Sequence, residues 1–282
     1  MKPPPFTYHA PRDLATALRT LQEVGAGGAG GKVLAGGQSL IPMLNMRLVA
    51  PAHLVDINRV AGLGGIGREP GGVRVGALAR HAEAERSGAH PLLTRALKLV
   101  AHPVIRNRGT VVGSLVHADP AAELPAVLAV LGGSVRVARW QDGAAVERDI
   151  PAAAFFTGPM ESAVLPGELA VSAWFPSLAP GAGCAFVEVS RRHGDYALAG
   201  VCAVVGPAGA ARVACVGVGP VPVVVDVSAH APDWAAAARA VREETEPDDD
   251  IHATAAYRRH LVGVLAERAL REAAQEAENR GA

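Results

Sequence analysis

The stretch Val33–Leu40, VLAGGQSL, constrains this chain more than any other. An apolar run delivers the backbone into Gly36-Gly37, polar side chains follow at Gln38 and Ser39, and a second apolar run containing Pro42 comes next. A short apolar run closed by glycines predicts a strand and a turn. Consecutive free N–H groups in such a turn form a nest for an anion. An ordinary tight turn has the same sequence, so both readings stand on these residues alone.

A second stretch, RNRGTVVGSLVHADPAAELPA from Arg106 to Ala126, reads as a polar loop in which Thr110 and Ser114 flank Val111-Val112-Gly113. A helix beginning near Ala121 brings a positive dipole end close by. Two such loops, remote along the chain, suit a pyrophosphate gripped from two sides, and a dinucleotide supplies that anion. The G-x-G-x-x-G nucleotide fold is excluded because no such fingerprint opens a helix. A third glycine-rich stretch, Gly25–Lys32, imitates a P-loop and fails it. Ala26 stands where the first glycine belongs, Val33 stands where Ser or Thr belongs, and a strand follows instead of a helix. It reads as a flexible surface turn.

The rest of the chain supplies a scaffold. Leu14, Leu18 and Leu21 share one face of a helix that Asp13 caps and Gly25 stops. AHLVDINRV is a short strand, and GIGREPGGVRVGAL is a hairpin with alternation at Val73 and Val75. Helices are expected at 82–86 and 91–101, and again where Leu124, Val127, Leu128 and Leu131 recur at helical spacing before Gly132-Gly133. SVRVARW is a strand. The linker is expected between Phe175 and Phe186. Three strand-like runs follow, at 185–189, 199–205 and 212–219, and then two helices. The second helix carries Tyr257, Leu261, Val264 and Leu265 on one face, with Asp248-Asp249-Asp250 at its start. Strands and helices without strict alternation indicate an α+β class.

Charge excludes some functions. Lys and Arg number 27, as do Asp and Glu, so no basic surface points to nucleic acid. The three cysteines, Cys184, Cys202 and Cys215, lack C-x-x-C spacing, which argues against a zinc or iron–sulfur site in this chain and for buried thiols in a reducing cytoplasm. The ten histidines include no H-E-x-x-H pattern, so no metal ligands are assigned. The N-terminus shows no signal peptide, and the most apolar stretch is punctuated by Gly206-Pro207, Gly209, Arg212 and Pro220, so no transmembrane segment is expected.

Nearly end to end, the chain resembles the FAD-binding medium subunit of the molybdenum hydroxylases, the carbon monoxide dehydrogenase and xanthine dehydrogenase family. The resemblance is carried by KPPPFTYHAPRDLATALRTL, LAGGQSLIPMLNMRL, HPVIRNRGTVVGSLVHADPAAELPAVL and RRHGDYALAGV. It implies an α+β fold with a two-part FAD-binding domain of the vanillyl-alcohol-oxidase (PCMH) type over residues 1–176, divided near 56/57. A small α+β C-terminal domain of the CO-dehydrogenase flavoprotein kind would follow over 182–282. By the same resemblance Val33, Leu34, Ala35, Gly36, Gly37, Gln38, Ser39 and Leu40 carry the loop that holds the FAD pyrophosphate, and Thr110, Val112, Gly113 and Ser114 form the second contact. Val100, His102 and Ile105 would line the flavin or adenine side. Asp119 and Glu123 would meet ribityl and ribose hydroxyls, or else serve only as charges at a helix start. Leu169 would pack on the cofactor. Tyr196 would lie near the isoalloxazine ring, or else be a domain-interface aromatic.

The family relationship also implies a division of labour. Substrate is oxidised on a molybdenum-cofactor large subunit, and electrons pass through a 2Fe–2S small subunit to FAD here and on to an external acceptor. No catalytic residue is expected in this chain. One departure stands out, because Val112 replaces the family's glycine. A positive φ there would store roughly 1–3 kcal/mol of strain in a β-branched residue. That supports an alternative, a repurposed or scaffold homologue with weakened or lost FAD binding. An independent FAD oxidase is a third reading, for which no acid or base stands beside the loops.

Overall fold

The computed structural model describes residues 2–26 and 30–281. The class is α+β, and the described residues build three larger sheets in succession, with one two-stranded ribbon beside the second. The first comes from β1 (Thr7–His9), α1 (Leu14–Ala26), β2 (Gly31–Leu34), α2 (Leu40–Asn45) and β3 (His53–Asp56). β3 lies between β1 and β2, parallel to both. Asp13 caps α1 by accepting the Thr16 N–H at 2.8 Å, and Ala17, Leu18 and Leu21 are buried beneath it. The helix runs one residue past Gly25, the expected stop. Of the P-loop-like stretch, Gly27, Gly28 and Ala29 lie outside the described residues, while Gly31 and Lys32 already belong to β2.

The second part contains β4 (Ile66–Glu69), β5 (Gly72–Gly76), α3 (His81–Ser87), α4 (Pro91–Leu99), α5 (Pro103–Arg106), α6 (Val111–His117) and α7 (Glu123–Leu131). It continues with β6 (Ser134–Gln141), β7 (Ala144–Pro151), α8 (Ala152–Phe155), β8 (Phe156–Gly158), β9 (Glu161–Ser162) and β10 (Leu169–Pro176). The five-stranded sheet has the order β4-β5-β10-β6-β7, antiparallel throughout. β10 sits at its centre, almost wholly buried, and pairs with strands far from it in sequence. β7, an edge strand with a solvated face, lacks the apolar alternation that would have announced it.

The third part is β11 (Gly183–Ser190), β12 (Ala197–Val205), β13 (Ala211–Val216), β14 (Val223–Asp226), α9 (Trp234–Glu243) and α10 (Ala255–Gly281). The strands form one antiparallel sheet in chain order, and the expected three runs gain a fourth in β14. One face of this sheet joins the core that contains α4 and α7, and the other packs on α9 and α10. Burial on both faces explains why β12 is apolar almost throughout. The stripe on α10 consists of Leu261, Val262, Leu265, Ala266, Ala269, Leu270 and Ala273. Tyr257 and Val264, expected on that face, are 46% and 53% exposed, because the stripe drifts as 3.6-residue turns accumulate. The connection between sheets is shorter than expected: β10 reaches Pro176 and β11 begins at Gly183. Arg95 of α4 and Glu276 of α10 make a bidentate pair at 2.8 Å across this junction. All three cysteines are buried and unbridged, and burial pushes the Cys184 thiol up to about 11.

Candidate functional site

A cavity of about 490 Å³ opens between the β2–α2 turn, the starts of α6 and α7, β10 and the loop joining β11 to β12. It is large enough for a substantial part of a dinucleotide, and its volume falls in the range of small-molecule sites. The first wall is the turn after β2. Gly37 has φ +73°, a left-handed conformation that glycine adopts without strain. Gly36 is in contact with the chain itself, since a Cβ there would lie 2.5 Å from the Arg108 carbonyl oxygen and 2.8 Å from the Gly109 Cα. The glycine pair is therefore required first by the fold. The turn also does what an anion nest requires. The first helical bond of α2 runs from the Ile41 N–H to the Gly37 carbonyl at 3.0 Å, and the N–H groups from Gly36 to Leu40 donate to no group among the described residues.

The second wall differs from the expected loop. Thr110-Val111-Val112-Gly113-Ser114 is the first turn of α6, with Thr110 as N-cap. Its hydroxyl accepts the Gly113 N–H at 3.1 Å, and its carbonyl accepts the Ser114 N–H at 3.0 Å. The Val112 N–H donates to no group among the described residues, so this wall also offers a free amide. The helix after the second wall begins at Glu123 rather than near Ala121.

Val112 has helical backbone and no positive φ, and its side chain is 2% exposed in the core. The strain that would have weakened cofactor binding does not exist, and the flavin-free scaffold reading loses its motive.

Sixteen of the nineteen expected positions line the cavity: Val33, Ala35 to Leu40, Val100, Ile105, Thr110, Val112, Gly113, Ser114, Glu123, Leu169 and Tyr196. Leu34, His102 and Asp119 do not. Leu34 lies across the turn and lines a separate hollow of about 400 Å³ with Ile41, Pro42, Asp56, Asn58 and Arg108. His102 packs beneath Gly194, whose Cβ would come within 2.8 Å of the imidazole Cε1, and its ring meets His193 edge-on at 6.0 Å. It supports the loop that brings Tyr196 to the cavity. Asp119 spends one carboxylate oxygen on the Ala121 N–H at 2.9 Å.

Glu123 is buried, and burial, with Glu188 and Asp119 nearby, pushes its carboxyl up to about 8. The shift favours the protonated form, which can donate as well as accept a hydrogen bond. Burial raises the Tyr196 hydroxyl too, with Asp119 and Glu123 adding to the shift, although the residue as a whole is 55% exposed; the crowding is at its hydroxyl end.

Several residues that brace the walls carry little signal in the sequence. Asn58, just after β3, donates from Nδ2 to the Ala35 carbonyl at 2.8 Å. Arg80 reaches the Asn58 Oδ1 at 2.7 Å and the Arg108 carbonyl at 2.6 Å. His81 is 6% exposed; its N–H donates to the Gly109 carbonyl at 2.9 Å and its Nε2 to the Thr110 carbonyl at 2.9 Å. A carbonyl only accepts, so Nε2 carries the proton. Burial lowers the imidazole to about 4, which keeps it neutral. The one signal for this set was Arg80-His81 at the start of a helix with Glu83 three residues on, a capping pattern. Among the described residues no group of three His, Cys, Asp or Glu side chains could hold a metal, and no helix is long and apolar enough to cross a membrane.

Comparison with known proteins agrees over both halves. The family described as the FAD binding domain in molybdopterin dehydrogenase matches residues 4–178, and the CO dehydrogenase flavoprotein C-terminal domain matches residues 184–273. The chain is 41% identical to the 6-hydroxypseudooxynicotine dehydrogenase complex subunit alpha of Paenarthrobacter nicotinovorans, covering 97% of this chain and 96% of that one. A chain of carbon monoxide dehydrogenase from Hydrogenophaga pseudoflava superposes with a TM-score of 0.88 at 33% identity, over 98% of this chain and 99% of that chain. A chain of quinoline 2-oxidoreductase from Pseudomonas putida 86 superposes equally, with a TM-score of 0.88 at 33% identity and the same coverage of both chains.

Proposed function

Since this chain belongs to the FAD-binding medium subunits of the molybdenum hydroxylases, an oxidoreductase family, we propose that it holds FAD in the cavity between the two amide walls and serves as the electron outlet of a heteromeric enzyme. In this reading residues 1–176 are the FAD-binding unit, with parts meeting near 56/57, and residues 182–282 are the C-terminal unit. The partners are a molybdenum-cofactor large subunit, where substrate is oxidised, and a 2Fe–2S small subunit. FAD supplies chemistry that suits this position, because it accepts electrons singly and releases them in pairs.

The protein's own share is binding and orientation. The amides from Gly36 to Leu40, facing the capped start of α6, would hold the diphosphate. The protonated carboxyl of Glu123 would meet a sugar or ribityl hydroxyl, and Val100, Ile105 and Leu169 would supply apolar contact. Tyr196 would stand at the ring system. The three buried thiols favour a reducing compartment, hence the cytoplasm. The observation that carries the proposal is the row of consecutive unpaired amides on the same cavity as a capped helix start.

The test uses the complex isolated with its partner subunits. It is expected to contain one FAD per copy of this chain, and removal of the flavin is expected to abolish electron delivery to the acceptor while substrate still reduces the iron–sulfur clusters. Full-rate delivery after flavin removal would refute the relay role.

A further inference from the structure

We propose that Asn58 and Arg80 form a clamp that sets the gap between the two amide walls. The proposal rests on the FAD reading above and assigns the clamp to two residues that act through the walls.

The geometry joins one wall to the other through a single chain of hydrogen bonds. Asn58 Nδ2 holds the Ala35 carbonyl at 2.8 Å, immediately before Gly36. Arg80 Nη2 holds the Asn58 Oδ1 at 2.7 Å, and Arg80 Nη1 holds the Arg108 carbonyl at 2.6 Å, two residues before Thr110. The planar guanidinium makes both contacts at once, which an ammonium cannot do with the same fixed spacing. The Arg108 carbonyl is also the atom that a Cβ on Gly36 would strike, so the clamp and the glycine regulate the same contact.

Arg80 is held in place by its surroundings. Its guanidinium donates to two neutral oxygens, with the Asp56 and Glu83 carboxylates close enough to favour its charge and Arg108 opposing it. Glu83 is occupied by the Arg80 backbone N–H at 2.9 Å.

The test is FAD affinity and amide hydrogen exchange of the full chain, measured for wild type, Asn58→Ala, Arg80→Gln and the double variant. Each single variant is expected to bind FAD at least tenfold more weakly. The double variant should lose no more than about twofold beyond the worse single one, since either change opens the same chain of bonds. Exchange should quicken in the apo protein at the hydrogen-bonded amides of both walls, Ile41 and Met43 beside the turn and Gly113 and Ser114 at the helix start, whichever partner is changed. Arg80→Lys, which keeps the charge but cannot span both oxygens, should behave like Arg80→Gln in exchange; it serves in place of any variant that does not fold. Affinities within twofold of wild type, losses that multiply in the double variant, or exchange changes confined to one wall would each overturn the clamp. A wild-type chain that binds no FAD would instead overturn the reading beneath it.

Discussion

The two amide walls reach the same end by different construction. The wall after β2 is a turn whose left-handed backbone favours glycine at Gly37 and whose packing against Arg108 and Gly109 leaves no room for a side chain at Gly36. The wall at α6 is a helix start, where the N–H groups are free because a helix has no earlier carbonyls to offer them. Here a β-branched residue is tolerated at Val112, and the special residue is the cap, Thr110. A glycine in a binding loop therefore reports backbone geometry, and its replacement by valine says nothing about the ligand until the local conformation is known.

The largest test of this contrast is Gly36→Ala. The new methyl would sit 2.5 Å from the Arg108 carbonyl oxygen, a rigid backbone atom, so the walls must part. The expected loss of stability is about 3 kcal/mol or more. Loss of FAD affinity should reach about 100-fold, since each factor of ten corresponds to about 1.4 kcal/mol. Chemical denaturation and flavin titration measure the two effects. Near-normal affinity would mean that the walls do not act together.

Val112→Gly places the glycine that the resemblance implies here and inverts the usual expectation. If the second wall worked like the first, glycine would tighten FAD binding. Because Val112 is helical and 2% exposed, the variant should instead lose about 2–4 kcal/mol of stability, from the missing core side chain and the helix cost of glycine, with no gain in FAD affinity. A gain in affinity would show that bulk at this position does weaken the cofactor site.

The same contrast explains what the sequence could and could not disclose. The turn at Gly36-Gly37 was legible because a strand running into two glycines has few other uses, and the helices at 91–99 and 123–131 were legible from their spacing. The start of α6 was misread as a loop because Val-Val-Gly-Ser has weak helix propensity; what makes it a helix is the Thr110 cap and the burial of Val111, Val112 and Leu115. β7 was missed for want of an apolar face, and the pairing of β10 with β5 and β6 depends on contacts between distant residues. Asn58, Arg80 and His81 were invisible for the same reason. Each acts on a carbonyl more than twenty residues away, and no local pattern encodes such a partner.

Acid separates the two walls by a smaller amount. His81 touches only the second wall, through the Gly109 and Thr110 carbonyls. Its folded pKa, lowered to about 4 by burial, lies below the value near 6.5 expected for the unfolded chain. The unfolded state therefore takes up the proton first. The stability held by the neutral ring is complete above about pH 6.5 and is lost progressively as pH falls toward 4. Between pH 6.5 and 5 the loss from this residue should be about 2 kcal/mol. Hydrogen exchange should quicken at the bonded amides of Val111, Gly113 and Ser114 before those of Ile41 and Met43, because the glycine turn has no contact with the ring that is charging. His81→Asn keeps a donor for the Thr110 carbonyl and cannot charge, so it should flatten the stability profile across this interval. An unchanged profile would place the acid sensitivity on another group, and simultaneous loosening of both walls would show that the contact between Gly36 and Arg108 transmits the strain from one wall to the other.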